Sequence, residues 1–288
     1  MKPAPFDYRK VASLEEASLL LSEHGDEAKI LAGGQTLVPI LNFRLAQPSI
    51  LVDINDIPSL DYIELGPEGL TLGALVRWHQ IETNPTIANA NPLLAEAVKH
   101  IAHYQIRNRG TWAGSCAHAD PAAEFPAIAV VCGARFRLHS VRGVRTVTAE
   151  DFFVGPLTTT LEPDEILAEV QMPVWPSTRR WAFEEFALRA GDFAIAGVAV
   201  LVDESATSEP FCFVSFGVGD KPRRLRNAEA VIAAEGLTRK AIVRAAAEAA
   251  NEIDAQTDIH ASADYRRALI ETLVERAICR VAGFEGEP

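Results

Sequence analysis

Two glycine-rich stretches of this chain hold residue types that bind anions through the backbone. In the first, "LAGGQTLVPILNF", Gly33 and Gly34 stand between an apolar run and a segment with helical character. A strand end, a glycine pair and a helix start together present several N–H groups with no side chain in the way. The helix dipole adds positive potential, a combination suited to phosphate. The second, "GTWAGS", sets small residues and the hydroxyls of Thr111 and Ser115 before a helix. Two such loops suit a diphosphate, which has two phosphates to clamp; each is equally readable as an ordinary turn. Neither fits G-x-G-x-x-G or G-x-x-x-x-G-K-[ST], so dinucleotide-fold and P-loop readings have little support.

Other reactive residue types form weaker patterns. His100 and His103 would share one helical face, with His118 and Asp120 as conceivable further ligands, yet the spacing matches no metal motif and packed or solvated histidines are expected. Cys116 and His118, two apart on an extended loop, point the same way as a nucleophile and base would, but no third group orients them, and a buried thiol beside the loop is the plainer reading. Arg107 and Arg109 add charge near the phosphates or form an exposed pair. The basic trio Arg223, Arg224 and Arg226 reads as a solvated face or a subunit contact. Four widely spaced cysteines without a C-x-x-C pair argue for free thiols in a reducing compartment, and against a zinc or iron–sulfur site on this chain.

The elements that must position these residues follow from periodicity. Ser13-Leu14-Glu15-Glu16 is a capping-box pattern that opens a helix running to Gly25. "AKILA" and "SILVDI" read as strands around the short helix "LVPILNFRL", an α/β unit. Gly-Pro-Glu-Gly then signals a hairpin. Helices are expected over residues 81–89 and 92–104, and a further helix starting at Pro121 with Asp120 as its N-cap. "ARFRLHS", "VRTVTAEDFF" and "EILAEVQMP" read as sheet, and proline-bearing "MPVWPSTRR" as a domain boundary. Beyond it come antiparallel strands and then some 60 helical residues, for an α+β chain in two or three lobes.

Composition narrows the function. The 288 residues carry 39 acidic against 27 basic side chains, a net charge of −12, which excludes nucleic acid as the natural partner. The longest wholly apolar run, Ala194 to Val202, is far too short for a bilayer span, and the first ten residues have no apolar signal region. A soluble, cytoplasmic protein is expected.

Taken together, "AGGQTLVPILNFRLAQPSILVDIN", "QIRNRGTWAGSCAHADPAAEFPA", "TLEPDEIL", "LRAGDFAIAGVAV" and "ASADYRRALIETLVERA" resemble, in order and over essentially the whole chain, the FAD-binding medium subunits of the molybdenum hydroxylases, the family of carbon monoxide dehydrogenase and of the xanthine dehydrogenase flavin domain. The resemblance implies a two-lobed FAD-binding domain of the PCMH-like type over residues 1–175, with lobes of about 1–56 and 57–175, then an antiparallel sheet with a C-terminal helical bundle over 176–288. It implies noncovalently bound FAD whose diphosphate is held by Ala32, Gly33, Gly34, Gln35 and Thr36 in one loop and by Thr111, Trp112, Ala113, Gly114 and Ser115 in the other, with Leu31 and Leu37 as further cofactor-binding residues. Asp120 is a further cofactor-binding residue, Glu124 falls toward the sugar portion, and Leu161 and Phe193 toward the flavin. It further implies a separate large molybdopterin subunit and small [2Fe–2S] subunit, assembled as a dimer of heterotrimers, with electrons leaving through FAD to an external acceptor. Two departures from the family pattern stand out. Trp112 and Ala113 replace an isoleucine and a glycine, so a loop needing positive φ would be strained at Ala113. Glu184 and Glu185 stand where a lysine is common. These departures keep open a non-catalytic assembly subunit with weakened flavin binding; a free-standing flavin oxidoreductase is the other alternative.

Overall fold

A small parallel sheet carries the first glycine loop. In the computed structural model, which describes residues 2–206 and 208–284, strands β1 (Asp7–Lys10), β2 (Ala28–Leu31) and β3 (Ile50–Asp53) lie in the order β1-β3-β2. All four residues of β3 are buried, as befits a central parallel strand. Helix α1 (Leu14–His24) is capped by Ser13 Oγ, which accepts the Glu16 N–H at 3.1 Å, and ends at Gly25 with φ +54°. Helix α2 (Leu37–Asn42) leaves the glycine pair and leads toward β3.

Strand β4 (Ile63–Gly66) and strand β5 (Gly69–Gly73) form the expected hairpin. The two helices expected over 81–89 and 92–104 are instead four short ones: α3 (Trp78–Thr83), α4 (Pro85–Ala90), α5 (Pro92–Ala97) and α6 (Tyr104–Arg107). Pro85 and Pro92 each restart the chain in a first helical turn, capped by the side chains of Asn84 and Asn91, and Ala102 at φ +43° separates α5 from α6. Helices α7 (Trp112–His118) and α8 (Glu124–Val131) follow, then β6 (Arg135–Ser140) and β7 (Gly143–Thr148). "AEDF" is not sheet but a helical turn, α9 (Ala149–Phe152), because Thr148 Oγ1 accepts the Asp151 N–H. The short pair β8 (Phe153–Gly155) and β9 (Thr158–Thr159) leads to β10 (Ile166–Met172), which completes an antiparallel sheet of order β4-β5-β10-β6-β7.

After the proline-bearing connection, β11 (Arg180–Phe186), β12 (Ala196–Val202), β13 (Phe211–Phe216) and β14 (Arg223–Arg224) form a second antiparallel sheet, followed by α10 (Arg226–Glu235), α11 (Arg239–Glu252) and α12 (Ala263–Ala282). Every residue of β12 is buried. The strand period of two explains why: Val198, Val200 and Phe213 pack with the helices, whereas Phe183, Ala199 and Phe216 join the core of the first 172 residues. No helix among the described residues is long and apolar enough to cross a membrane.

Candidate functional site

Both glycine stretches open on one cavity of about 540 Å³. Ala32, Gly33, Gly34, Gln35, Thr36 and Leu37 line one wall, and Thr111, Ala113, Gly114, Ser115 and Asp120 line the opposite one together with Glu124, Leu161 and Phe193. Among the described residues, the N–H groups of Gly33, Gly34, Gln35 and Thr36 donate no hydrogen bond within the protein. Four consecutive free donors around Gly34, whose φ is +71°, make a concave anion cradle. Gln35 Nε2 folds back onto the Gly33 carbonyl at 3.0 Å, which keeps that side chain out of the cradle.

The second stretch is not a loop. Thr111 is the N-cap of α7, its hydroxyl accepting the Gly114 N–H at 3.1 Å, so Trp112 to Ser115 form a first helical turn. Its Ala113 N–H donates no bond within the protein and belongs to the cavity wall. Ala113 has ordinary helical backbone and is absent from the positive-φ residues, so the strain expected of a non-glycine residue there does not arise.

Other expectations need correction. Leu31 and Trp112 do not line the cavity. Leu31 ends β2 and its carbonyl accepts the Ile54 N–H. Trp112 is wholly buried in the aromatic core, with Nε1 donating to the Gly73 carbonyl at 2.7 Å. Asp120 does not cap α8, which starts only at Glu124; its carboxylate accepts the Ala122 N–H in a turn just before. Cys116 is the buried thiol expected beside the loop, but it lies on α7, not on an extended segment, so its side chain and that of His118, two residues on, diverge. His100 faces Glu185 at 3.8 Å, and His103 precedes α6; no group of three or more metal-type side chains comes together among the described residues. Neither the Arg107 nor the Arg109 side chain reaches the cavity: Arg107 is bound to Glu82 and to the carbonyls of Ile101 and Ala102. Arg224 is no solvated surface residue, being paired with Glu229 at 2.9 Å and Glu209 at 3.0 Å.

Sequence reasoning also missed wall residues. Trp78, Ile101, Ala102, Gly110, Gly191 and Asp192 line the cavity. Gly110 opens the stretch "GTWAGS", and Gly191 and Asp192 lie in "LRAGDF" beside Phe193, so these three carried a signal; Trp78, Ile101 and Ala102 carried none. A Cβ built on Gly33 would stand 2.5 Å from the Arg109 carbonyl oxygen and 2.8 Å from Gly110 Cα. The two walls therefore touch backbone to backbone at Gly33, and this contact, before any ligand, excludes a side chain there.

Comparison with known proteins assigns the cavity's family. Residues 4–175 match the FAD binding domain in molybdopterin dehydrogenase, and residues 181–281 match the CO dehydrogenase flavoprotein C-terminal domain. The chain belongs to the FAD-binding subunits of the molybdenum hydroxylases. This FAD subunit is 40% identical to the 6-hydroxypseudooxynicotine dehydrogenase complex subunit alpha of Paenarthrobacter nicotinovorans, over 97% of this chain and 95% of that one. It is 36% identical to the carbon monoxide dehydrogenase medium chain of Hydrogenophaga pseudoflava, over 96% of this chain and 97% of that one. Its fold superposes on a chain of solved carbon monoxide dehydrogenase from the same organism with a TM-score of 0.94 at 36% identity, covering 98% and 99% of the two chains. Quinoline 2-oxidoreductase from Pseudomonas putida 86 gives a TM-score of 0.92 at 35% identity, covering 99% of each chain.

The residues of the FAD subunit fit FAD: a cradle of free N–H groups for phosphate, and a cavity within the usual range for small-molecule sites. Its acidic residues need closer inspection. Glu124, the first residue of α8, is buried; burial, and secondarily the Asp120 charge, push its carboxyl up to about 7 against a lowering backbone hydrogen bond. Glu185 on β11 is pushed up to about 8, first by burial and then by Glu124. Burial lowers His100, so the 3.8 Å contact with Glu185 joins two neutral groups at pH 7. Glu184, the other replacement for the family lysine, points away to Arg280 at 2.7 Å.

Proposed function

We propose that this FAD subunit is the electron-transfer member of a molybdenum hydroxylase complex: electrons enter from a small [2Fe–2S] subunit and leave to an external acceptor, while a large molybdopterin subunit selects the substrate. The row of free N–H groups at Gly33 to Thr36, facing the first turn of α7 across one cavity, carries this reading. FAD, when bound, supplies the redox chemistry. The chain's own residues bind and orient. Gly33 to Thr36 and the Ala113 N–H hold the diphosphate, Asp120 and Glu124 face the sugar portion, and Leu161 and exposed Phe193 border the flavin. Residues 1–175, with lobes of about 1–56 and 57–175, form the FAD-binding domain and 176–288 the C-terminal domain, whose last residues 285–288 lie outside the described ones. We place the assembly, a dimer of heterotrimers, in the cytoplasm.

Anaerobic titration of the complex copurified from its source tests this. Any substrate that bleaches the iron–sulfur absorbance is expected to bleach the flavin band as well, before acceptor is added. A flavin that stays oxidised beside reduced iron–sulfur clusters would overturn the electron-transfer reading. The assembly-subunit alternative loses the support of strain at Ala113, which the helix removes, and rests only on the Glu184 and Glu185 departure. Turnover by the isolated chain would favour a free-standing oxidoreductase.

A further inference from the structure

We propose that Asn55 and Arg77 form a strut that fixes the separation of the two cofactor walls, making both positioning residues for FAD although neither lines the cavity. Asn55, just beyond β3, donates from Nδ2 to the Ala32 carbonyl at 2.9 Å, gripping the first loop one residue before Gly33. Its orientation is set from below: Nδ2 also donates to Asp53 Oδ1 at 2.6 Å, the Asn55 N–H donates to the same oxygen at 2.9 Å, and Tyr8 donates to the other Asp53 oxygen. On the far side, Asn55 Oδ1 accepts from Arg77 Nη2 at 2.5 Å, and Arg77 Nη1 donates to the Arg109 carbonyl. That carbonyl is the group against which Gly33 abuts. The strut therefore straddles the Gly33–Gly110 contact, one arm on each wall.

Arginine suits the position because its planar fork reaches two acceptors at a fixed angle, which a lysine ammonium does with neither the geometry nor the reach. A preset gap matters because two phosphate cradles bind together only when their spacing matches the ligand, and ordering them beforehand removes that cost from binding. The Trp78 N–H, which donates to the Gly110 carbonyl at 3.1 Å, and the Arg77–Thr111 bridge hold the start of α7 to the base of α3, so displacement of Arg77 is transmitted to the α7 wall.

The inference rests on the diphosphate lying between the walls, and the test separates the two. FAD affinity of the apo-protein is measured by flavin fluorescence quenching for wild type, Asn55→Ala, Arg77→Met, the double variant and Arg77→Lys, with thermal melting of each apo form. Asn55→Ala and Arg77→Met are each expected to weaken FAD about tenfold or more, the scale of one lost charge-assisted contact. The double variant should be no weaker than about twofold beyond the worse single one, since both cut one link. Arg77→Lys should retain part of the affinity. Arg224→Met, which removes a distant ion pair, should lower melting while leaving FAD affinity within about twofold. Full affinity in both single variants, or losses that multiply, would overturn the strut. Should Arg77→Met fail to fold, Arg77→Lys and Asn55→Ala carry the test. Ser115→Tyr, which fills the cavity from α7, checks the premise: full FAD affinity in that variant would refute the site itself, whereas loss there with intact affinity in the strut variants would refute only the strut.

Discussion

At the scale of single residues, the decisive question is which atoms a side chain would displace. Gly33 has no unusual φ, and what it needs is space: the Arg109 carbonyl lies 2.5 Å from the place of its Cβ. Gly33→Ala is expected to force the walls apart, at about 1–3 kcal/mol of stability, with weaker FAD binding; calorimetry and FAD titration check both. A variant that melts and binds like the wild type would contradict the contact. The buried carboxyls make a second residue-scale prediction. Glu124 and Glu185 titrate near 4.5 when unfolded and at about 7 and about 8 in the fold, so the folded state favours their protonated forms. A raised folded value gives stability that is complete below the unfolded value and is lost as pH rises through the folded one. The groups facing the pair are Asp120, which raises Glu124, and His100, which is held neutral, with Glu96 and Lys99 acting on His100 from outside. Apo-protein melting should thus decline from the ordinary carboxylate range up to pH 8, and Glu185→Gln should flatten that decline. A variant profile parallel to wild type would show that Glu185 does not titrate in this window.

Among the elements, α7 changes the expectation most. A glycine-like loop at residues 111–115 would make Ala113→Gly neutral or favourable for FAD binding. In a helix whose cap is Thr111, the same change exposes backbone and adds chain entropy, at roughly 0.5–1 kcal/mol. We expect Ala113→Gly to melt lower and to bind FAD no more tightly; tighter binding would restore the loop reading. The split of the segment 78–107 into α3 to α6 has the same kind of cause, since Pro85 and Pro92 each end one hydrogen-bond ladder and begin another. These breaks fold the segment back, so that Trp78, Ile101 and Ile106 all reach one cavity wall.

In the whole molecule, the two matched domains share a core. Strands β11 to β13 send alternate residues to opposite sides, and Phe183, Ala199, Val214 and Phe216 pack with the residues of the N-terminal part. Contacts outside the sheet add to this: the Gly217 N–H donates to the Pro121 carbonyl at 2.8 Å and Lys221 Nζ to the Phe153 carbonyl at 2.9 Å. Unfolding should therefore be one cooperative transition by calorimetry, with equal calorimetric and van't Hoff enthalpies. Two resolved transitions would mean that the shared core is too weak to couple the domains.

The sequence by itself determined the local decisions: the Ser13 cap and Gly25 stop of α1, the Gly-Pro-Glu-Gly hairpin, the buried run that became β12, and the glycine pair that marks the first wall. Each depends on near neighbours, through capping, turn chemistry or period, and is written in a few consecutive residues. Only the tertiary structure decided that "TWAGS" winds into a helix, that Trp112 turns to the core while Ala113 and Ser115 face the cavity, and that Arg77 and Asn55 serve both walls. Those outcomes depend on groups far away in sequence: the Gly73 carbonyl that accepts the Trp112 indole Nε1–H, and the Arg109 carbonyl that meets both Gly33 and Arg77. A contact between distant residues leaves no periodic trace in either segment, and a chain read one window at a time shows the parts of a binding site before it shows the spacing between them.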